Sequence, residues 1–213
     1  MKNIVNLVKL NFINLYSLKK TFIVVVLFGT VFGVIQPQMI SFAGAMYLMI
    51  VCYSQSAYEE RSKMNYLIAS LPVTKKQYIA GKYIFALLNG LIAMCLTVLL
   101  SYVIPIINPS AEAIPTNIIC ITILALCIFI VSVSLPLTLI FGVEKGRYFL
   151  IFIAVLPICF GPTIMASFPK PDFTFLVNMT NSTLILLGTL ASITILLASY
   201  FITSNIYSKK EVY

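Results

Sequence analysis

Glu59, Glu60 and Arg61 are the densest group of ionisable side chains in the sequence, and they open a polar stretch that runs to Lys76. Two adjacent carboxylates could act as acid and base, or hold a metal, if histidines or further acids stood within reach of the same substrate. The sequence contains no histidine. A second place to look is Gly81-Lys82, since a lysine after a glycine can cradle phosphate. Here Tyr83 follows where a phosphate loop needs Ser or Thr, and Lys76 stands where its first glycine belongs. The five cysteines, Cys52, Cys95, Cys120, Cys127 and Cys159, form no CxxC pair and all lie in apolar runs. They read as buried, inert thiols rather than as metal ligands or a disulfide framework.

Catalysis by this chain is therefore not expected. A paired-glutamate intramembrane protease is excluded on the same ground, because that chemistry needs a histidine on a later helix. The cofactors expected on the chain itself are none.

The composition explains why so little chemistry is available. Of 213 residues, 61% are hydrophobic and 9% are charged, against about a quarter charged in a soluble domain. Such a chain cannot cover its own surface in water, and in a bilayer only helices or closed barrels satisfy the backbone. The apolar runs are continuous rather than alternating, which selects helices. The expected fold is an all-α polytopic membrane protein. The net charge of +8 then reads as a topology signal rather than as nucleic-acid binding. Lys19 and Lys20 interrupt the N-terminus before the first long apolar run, so no cleavable signal is expected there.

Residues 2–20 alternate Ile4, Val5, Leu7, Val8 and Phe12 with Asn3, Asn6, Lys9, Asn11 and Asn14. At 100° per residue the polar set falls on about one half of a helix, which predicts an N-terminal amphipathic helix in the membrane interface. Thr21 to Tyr58 carries no charge and is long enough for two spans, divided at Gln36-Pro37-Gln38 because proline removes a donor. Six spans follow, at 21–36, 39–57, 77–107, 118–140, 148–168 and 183–202, with a polar segment at 59–76 between the second and third. No charge is expected well inside any span, which argues against an ion-coupled transporter. Gly29 and Gly33 form a GxxxG that lets another helix approach closely, either within the chain or at a dimer interface.

With both termini in the cytoplasm, every lysine and arginine except Lys170 falls on the inner side, so the positive-inside rule fixes that orientation. Segment 59–76 is then cytoplasmic. Leu67, Ile68 and Leu71 share one face of a short helix, ended by Ser70-Leu71-Pro72-Val73-Thr74, before Lys75 and Lys76 return the chain to the membrane. Such an element can lay its apolar side into a partner's groove; it can equally be a solvated loop whose charges set topology.

The run from Glu60 through Tyr66, Ser70-Leu71-Pro72-Val73-Thr74-Lys75, Tyr78 and Gly81-Lys82-Tyr83 resembles the pattern of small ABC-2-type permeases of bacterial ABC transporters. The resemblance implies that 59–76 is a coupling helix, with Glu59, Glu60, Arg61, Tyr66, Leu67, Leu71, Pro72, Val73, Thr74 and Lys75 docking a separate ATPase that holds ATP and Mg. It implies that the N-terminal helix is an elbow helix, and that two permease copies, or this chain and a related one, pair with two ATPases in a bacterial cytoplasmic membrane. Size and composition are similar to permeases that export amphipathic peptides, with Asn89, Thr97 and Ser101 as scattered polar groups on an apolar path. Two rivals are a substrate-binding component of a vitamin-type importer and a passive structural or immunity protein. The former docks through an A-x-x-x-A face on its first span, which this chain lacks.

Overall fold

The computed structural model describes residues 2–17, 23–24, 26–27, 29–31, 40–63, 73–107, 116–146, 148–149 and 181–209. Five long helices carry this part of the chain: α1 (Lys2–Ser17), α2 (Ile40–Arg61), α3 (Lys75–Ile107), α4 (Thr116–Phe141) and α5 (Asn181–Lys209). No strand occurs among the described residues. Stretches of α3, α4 and α5, namely Lys75–Ile104, Ile119–Phe141 and Leu190–Lys209, are long and apolar enough to cross a membrane. The expected span at 21–36 lies mostly outside the described residues, and that at 148–168 almost entirely so.

The helices are built inside out relative to a soluble bundle. Leu91, Leu99, Ile106, Phe129, Ile193 and Phe201 point outward and exposed, while Gln55, Asn89, Thr97 and Thr203 are fully buried. That polarity suits a lipid solvent, in which apolar surface is at home outside and polar groups pair between helices. Close approach helps. A Cβ on Gly44 of α2 would lie 2.3 Å from both Ile123 Cδ1 and Thr97 Oγ1, so the α2 backbone sits directly on α3 and α4. Nearby, the Tyr47 hydroxyl donates to Asn89 Oδ1 at 3.4 Å, and the Asn89 amide donates to the Phe85 carbonyl at 2.9 Å.

Helix α4 runs through Pro136 without ending. Proline has no N–H, so the carbonyl of Ser132 loses its donor four residues on. Ser199 of α5 supplies another: its hydroxyl donates to that carbonyl at 2.8 Å. Such repair of a proline break by a neighbouring hydroxyl is how membrane helices tolerate proline. Thr203 in turn donates to the Ser199 carbonyl at 2.7 Å. Tyr83 of α3 lies 2.7 Å from Ser199 Oγ and 3.0 Å from Thr203 Oγ1. Both of those hydroxyl protons are committed to carbonyls, so Tyr83 is the donor to this pair. Three helices are thereby sewn by one hydroxyl cluster.

Several element ends differ from the sequence expectation, each for a local reason. Helix α2 continues past residue 57 to Arg61, whose charge complements the last turn. It closes with Ser62 N–H on the Tyr58 carbonyl at 2.9 Å and Lys63 in the left-handed region. Helix α3 begins at Lys75 rather than 77, because Thr74 and Gln77 form a capping box, each side chain bonding the other's backbone N–H at 3.3 Å. Helix α5 extends beyond 202 to Lys209. Cys52 and Cys127 are buried as expected, whereas Cys95 is exposed on α3.

Helix α1 lies against α3 and α2, with Leu7 buried and Phe12 meeting Phe85 edge-to-face at 5.0 Å. Its orientation corrects a simple amphipathic reading. Asn11 and Asn14 turn inward and are buried, while Val5, Ile13 and Tyr16 are exposed. The polar residues are drawn in because polar partners await them in the bundle.

Candidate functional site

Polar contacts from α1, α2, α3 and α5, and from Val143 just after α4, gather at one end of the bundle, where segment 59–76 leaves α2 and enters α3. Glu59 is the hub. On α2 its neighbour one turn earlier, Gln55, donates through Nε2 to Glu59 Oε1 at 3.1 Å and to Asn11 Oδ1 of α1 at 3.1 Å. From α3 the Tyr78 hydroxyl donates to Glu59 Oε2 at 2.8 Å, and Lys82 makes an ion pair with Glu59 Oε1. The Lys82 ammonium also stands 5.7 Å from the centre of the Tyr78 ring. Both charged side chains are almost fully buried, Glu59 at 5% and Lys82 at 2% exposure. Two i, i+4 pairs, Gln55/Glu59 and Tyr78/Lys82, thus face each other across the α2–α3 seam.

Glu60, one residue on and 100° around the helix, points elsewhere. Its Oε2 accepts the backbone N–H of Val143 at 2.8 Å, just past the end of α4. Gly142 makes this possible with φ at +82°, in the left-handed region open to glycine. It lets the chain turn at the end of α4 and present the Val143 N–H. A cleft of about 330 Å³ opens beside this contact, walled in part by Tyr53, Arg61, Glu144 and Tyr148. On the other side of the segment, Lys75 Nζ donates to the Ser208 carbonyl in the last turn of α5 at 3.0 Å, a cation at the negative end of a helix.

The expected docking residues that are described differ in exposure. Glu59 is turned into the bundle, Glu60, Arg61, Thr74 and Lys75 are exposed, and Val73 packs at the edge of the core. Tyr66, Leu67, Leu71 and Pro72 lie outside the described residues. Gly29 is buried, with a Cβ there 3.4 Å from that of Ala43, so its close approach is made to α2 of the same chain; Gly33 lies outside the described residues. Asn89 and Thr97 are buried between helices, and Ser101 donates to the Val98 carbonyl at 2.7 Å.

Lys82, seven residues into α3, is buried at the N-terminal end of the helix. Its presence on an apolar helix was the usable signal that a partner exists, because a buried ammonium requires an anionic one, though not of which residue that is. Chemically, Glu59 has both oxygens occupied. The arrangement is suited to holding helices in register.

A family model described as ABC-2 family transporter protein matches residues 6–208. This chain belongs to the ABC-2 transporter family, as a membrane component of a transporter. Neither a curated protein nor a solved structure matches it.

Proposed function

We propose that the chain is the permease subunit of a bacterial ABC exporter that moves an amphipathic or hydrophobic substrate, a peptide toxin or antimicrobial peptide foremost, across the cytoplasmic membrane. A separate ATPase, holding ATP and its Mg²⁺, docks on residues 59–76. The observation that carries this reading is that both ends of that segment are tied into the bundle, Glu59 to α3 directly and to α1 through Gln55, Glu60 to Val143 just after α4, and Lys75 to α5. A partner pulling on 59–76 would therefore act on the whole bundle. Family membership supports the same reading, since ABC-2 permeases normally work with an ABC ATPase.

Six spans and both termini in the cytoplasm fit this reading. The C-terminal ends of α4 and α5 both lie at the charged end, so one more crossing is needed between them. Two permease copies and two ATPases complete the transporter; a second copy meeting this one at Gly29 and Gly33 would share Gly29 with Ala43. Helix α1, with Val5, Ile13 and Tyr16 outward beside Lys9, rests as an elbow helix among the inner headgroups.

The test is purification of the tagged chain from its native membrane in mild detergent. A stoichiometric ATPase that is lost on mutating 61–74 supports the proposal. A chain that emerges alone, or on a vitamin-type scaffold, refutes it.

A further inference from the structure

Neighbouring carboxylates at the end of α2 are held in contrasting ways. Glu60 is exposed and accepts the backbone N–H of Val143. Glu59 is buried and accepts from Gln55, Tyr78 and Lys82, and through Gln55 the network reaches Asn11 of α1. Withdrawing either member of a buried pair leaves an uncompensated charge, whereas an exposed contact exchanges with water at little loss. So at this end of the bundle the polar seam joining α2 to α3 and α1 resists opening, whereas the Glu60–Val143 contact is more easily exchanged for water.

We propose that Lys82, acting through Glu59, is a positioning residue that makes α1, α2 and α3 one mechanical unit at the start of the docking segment. Force applied beyond Arg61 then moves all three helices together, instead of being lost in bending the end of α2. Lys82 contacts neither nucleotide nor partner in this scheme. It rests on the docking reading above, and it adds to that reading which helices move as a body and which ion pair holds them.

The experiment uses the full chain with its co-purified ATPase in lipid nanodiscs. It measures ATPase turnover per mole of complex relative to the free ATPase. Lys82→Met is expected to retain the ATPase in wild-type ratio while the permease-dependent stimulation falls about fivefold or more, within the range of ordinary coupling energies. Lys82→Arg restores most of it. A role confined to stability would lower the yield of complex and leave turnover per mole unchanged, and that result overturns the proposal. If Lys82→Met is not recovered, the swap Glu59→Lys with Lys82→Glu decides. Recovered complex with stimulation above that of Glu59→Lys alone supports the proposal; recovered complex without it does not. If wild-type chain brings down no ATPase, the docking reading itself falls, a result distinct from the failure of Lys82 alone.

Discussion

Removing the Ser199 hydroxyl tests the repair of the proline break in α4. In Ser199→Ala, the Ser132 carbonyl loses the donor that reaches it at 2.8 Å, and Pro136 cannot replace it. Tyr83 keeps Thr203 as an acceptor at 3.0 Å, so the loss is concentrated on one buried acceptor. Stranding such a group costs about 1–3 kcal/mol. For a chain of this size each kcal/mol moves the melting temperature by about 2–4 °C, which gives a fall of about 2–12 °C. The assay is thermal melting in detergent, followed by recovery of the monodisperse peak. Pro136→Ala returns an N–H to position 136, so it should recover most of the loss in the Ser199→Ala background and do much less for the wild type. A coupling of about 0.5 kcal/mol or more between the two sites is expected. If Ser199→Ala melts with the wild type, or if Pro136→Ala shifts both backgrounds equally, the reasoning is wrong.

Three further outcomes are expected. Gly44→Ala places a methyl 2.3 Å from Ile123 Cδ1 and Thr97 Oγ1, so it should destabilise by about 1–3 kcal/mol, and Ile123→Ala in the same chain should relieve part of the drop in melting temperature. Thr74→Ala removes half of the capping box at the start of α3; a loss of about 1 kcal/mol should show as faster amide exchange at residues 75–78, with little change deeper in α3. Arg61→Glu, on the exposed end of α2, and Leu71→Asp should each abolish ATPase co-purification while the chain still purifies as a monodisperse species; retention of the ATPase in both would remove the docking assignment.

How much of this was readable from the sequence differs by element. The helical, membrane-spanning character followed from continuous apolar runs, because a bilayer leaves the backbone few options. Helix α1 was legible as a helix, but its orientation was not, since the half-turn pattern shows that Asn11 and Asn14 share a side and not that Gln55 draws that side inward. Glu59, Glu60 and Arg61 were legible as a polar cluster. That Glu59 faces Lys82, Tyr78 and Gln55 while Glu60 faces Val143 depends on the contact of α2 with α3 and α4, a tertiary fact with no local sign. The capping box Thr74-Lys75-Lys76-Gln77 was local and could have fixed the start of α3. The proline in α4 gives no hint in its own helix of a partner hydroxyl at residue 199.

The paired burial of Glu59 and Lys82 has an electrical consequence. A single elementary charge carried across a 100 mV membrane potential exchanges about 2.3 kcal/mol with the field. The two side chains carry opposite charges and are in direct contact, so if α1, α2 and α3 shift as a body the work done on one cancels the work done on the other. The seam can thus move without sensing voltage, on a polarised membrane as on a discharged one. Neutralising Glu59 alone would turn Lys82 into a lone sensing charge on a moving helix.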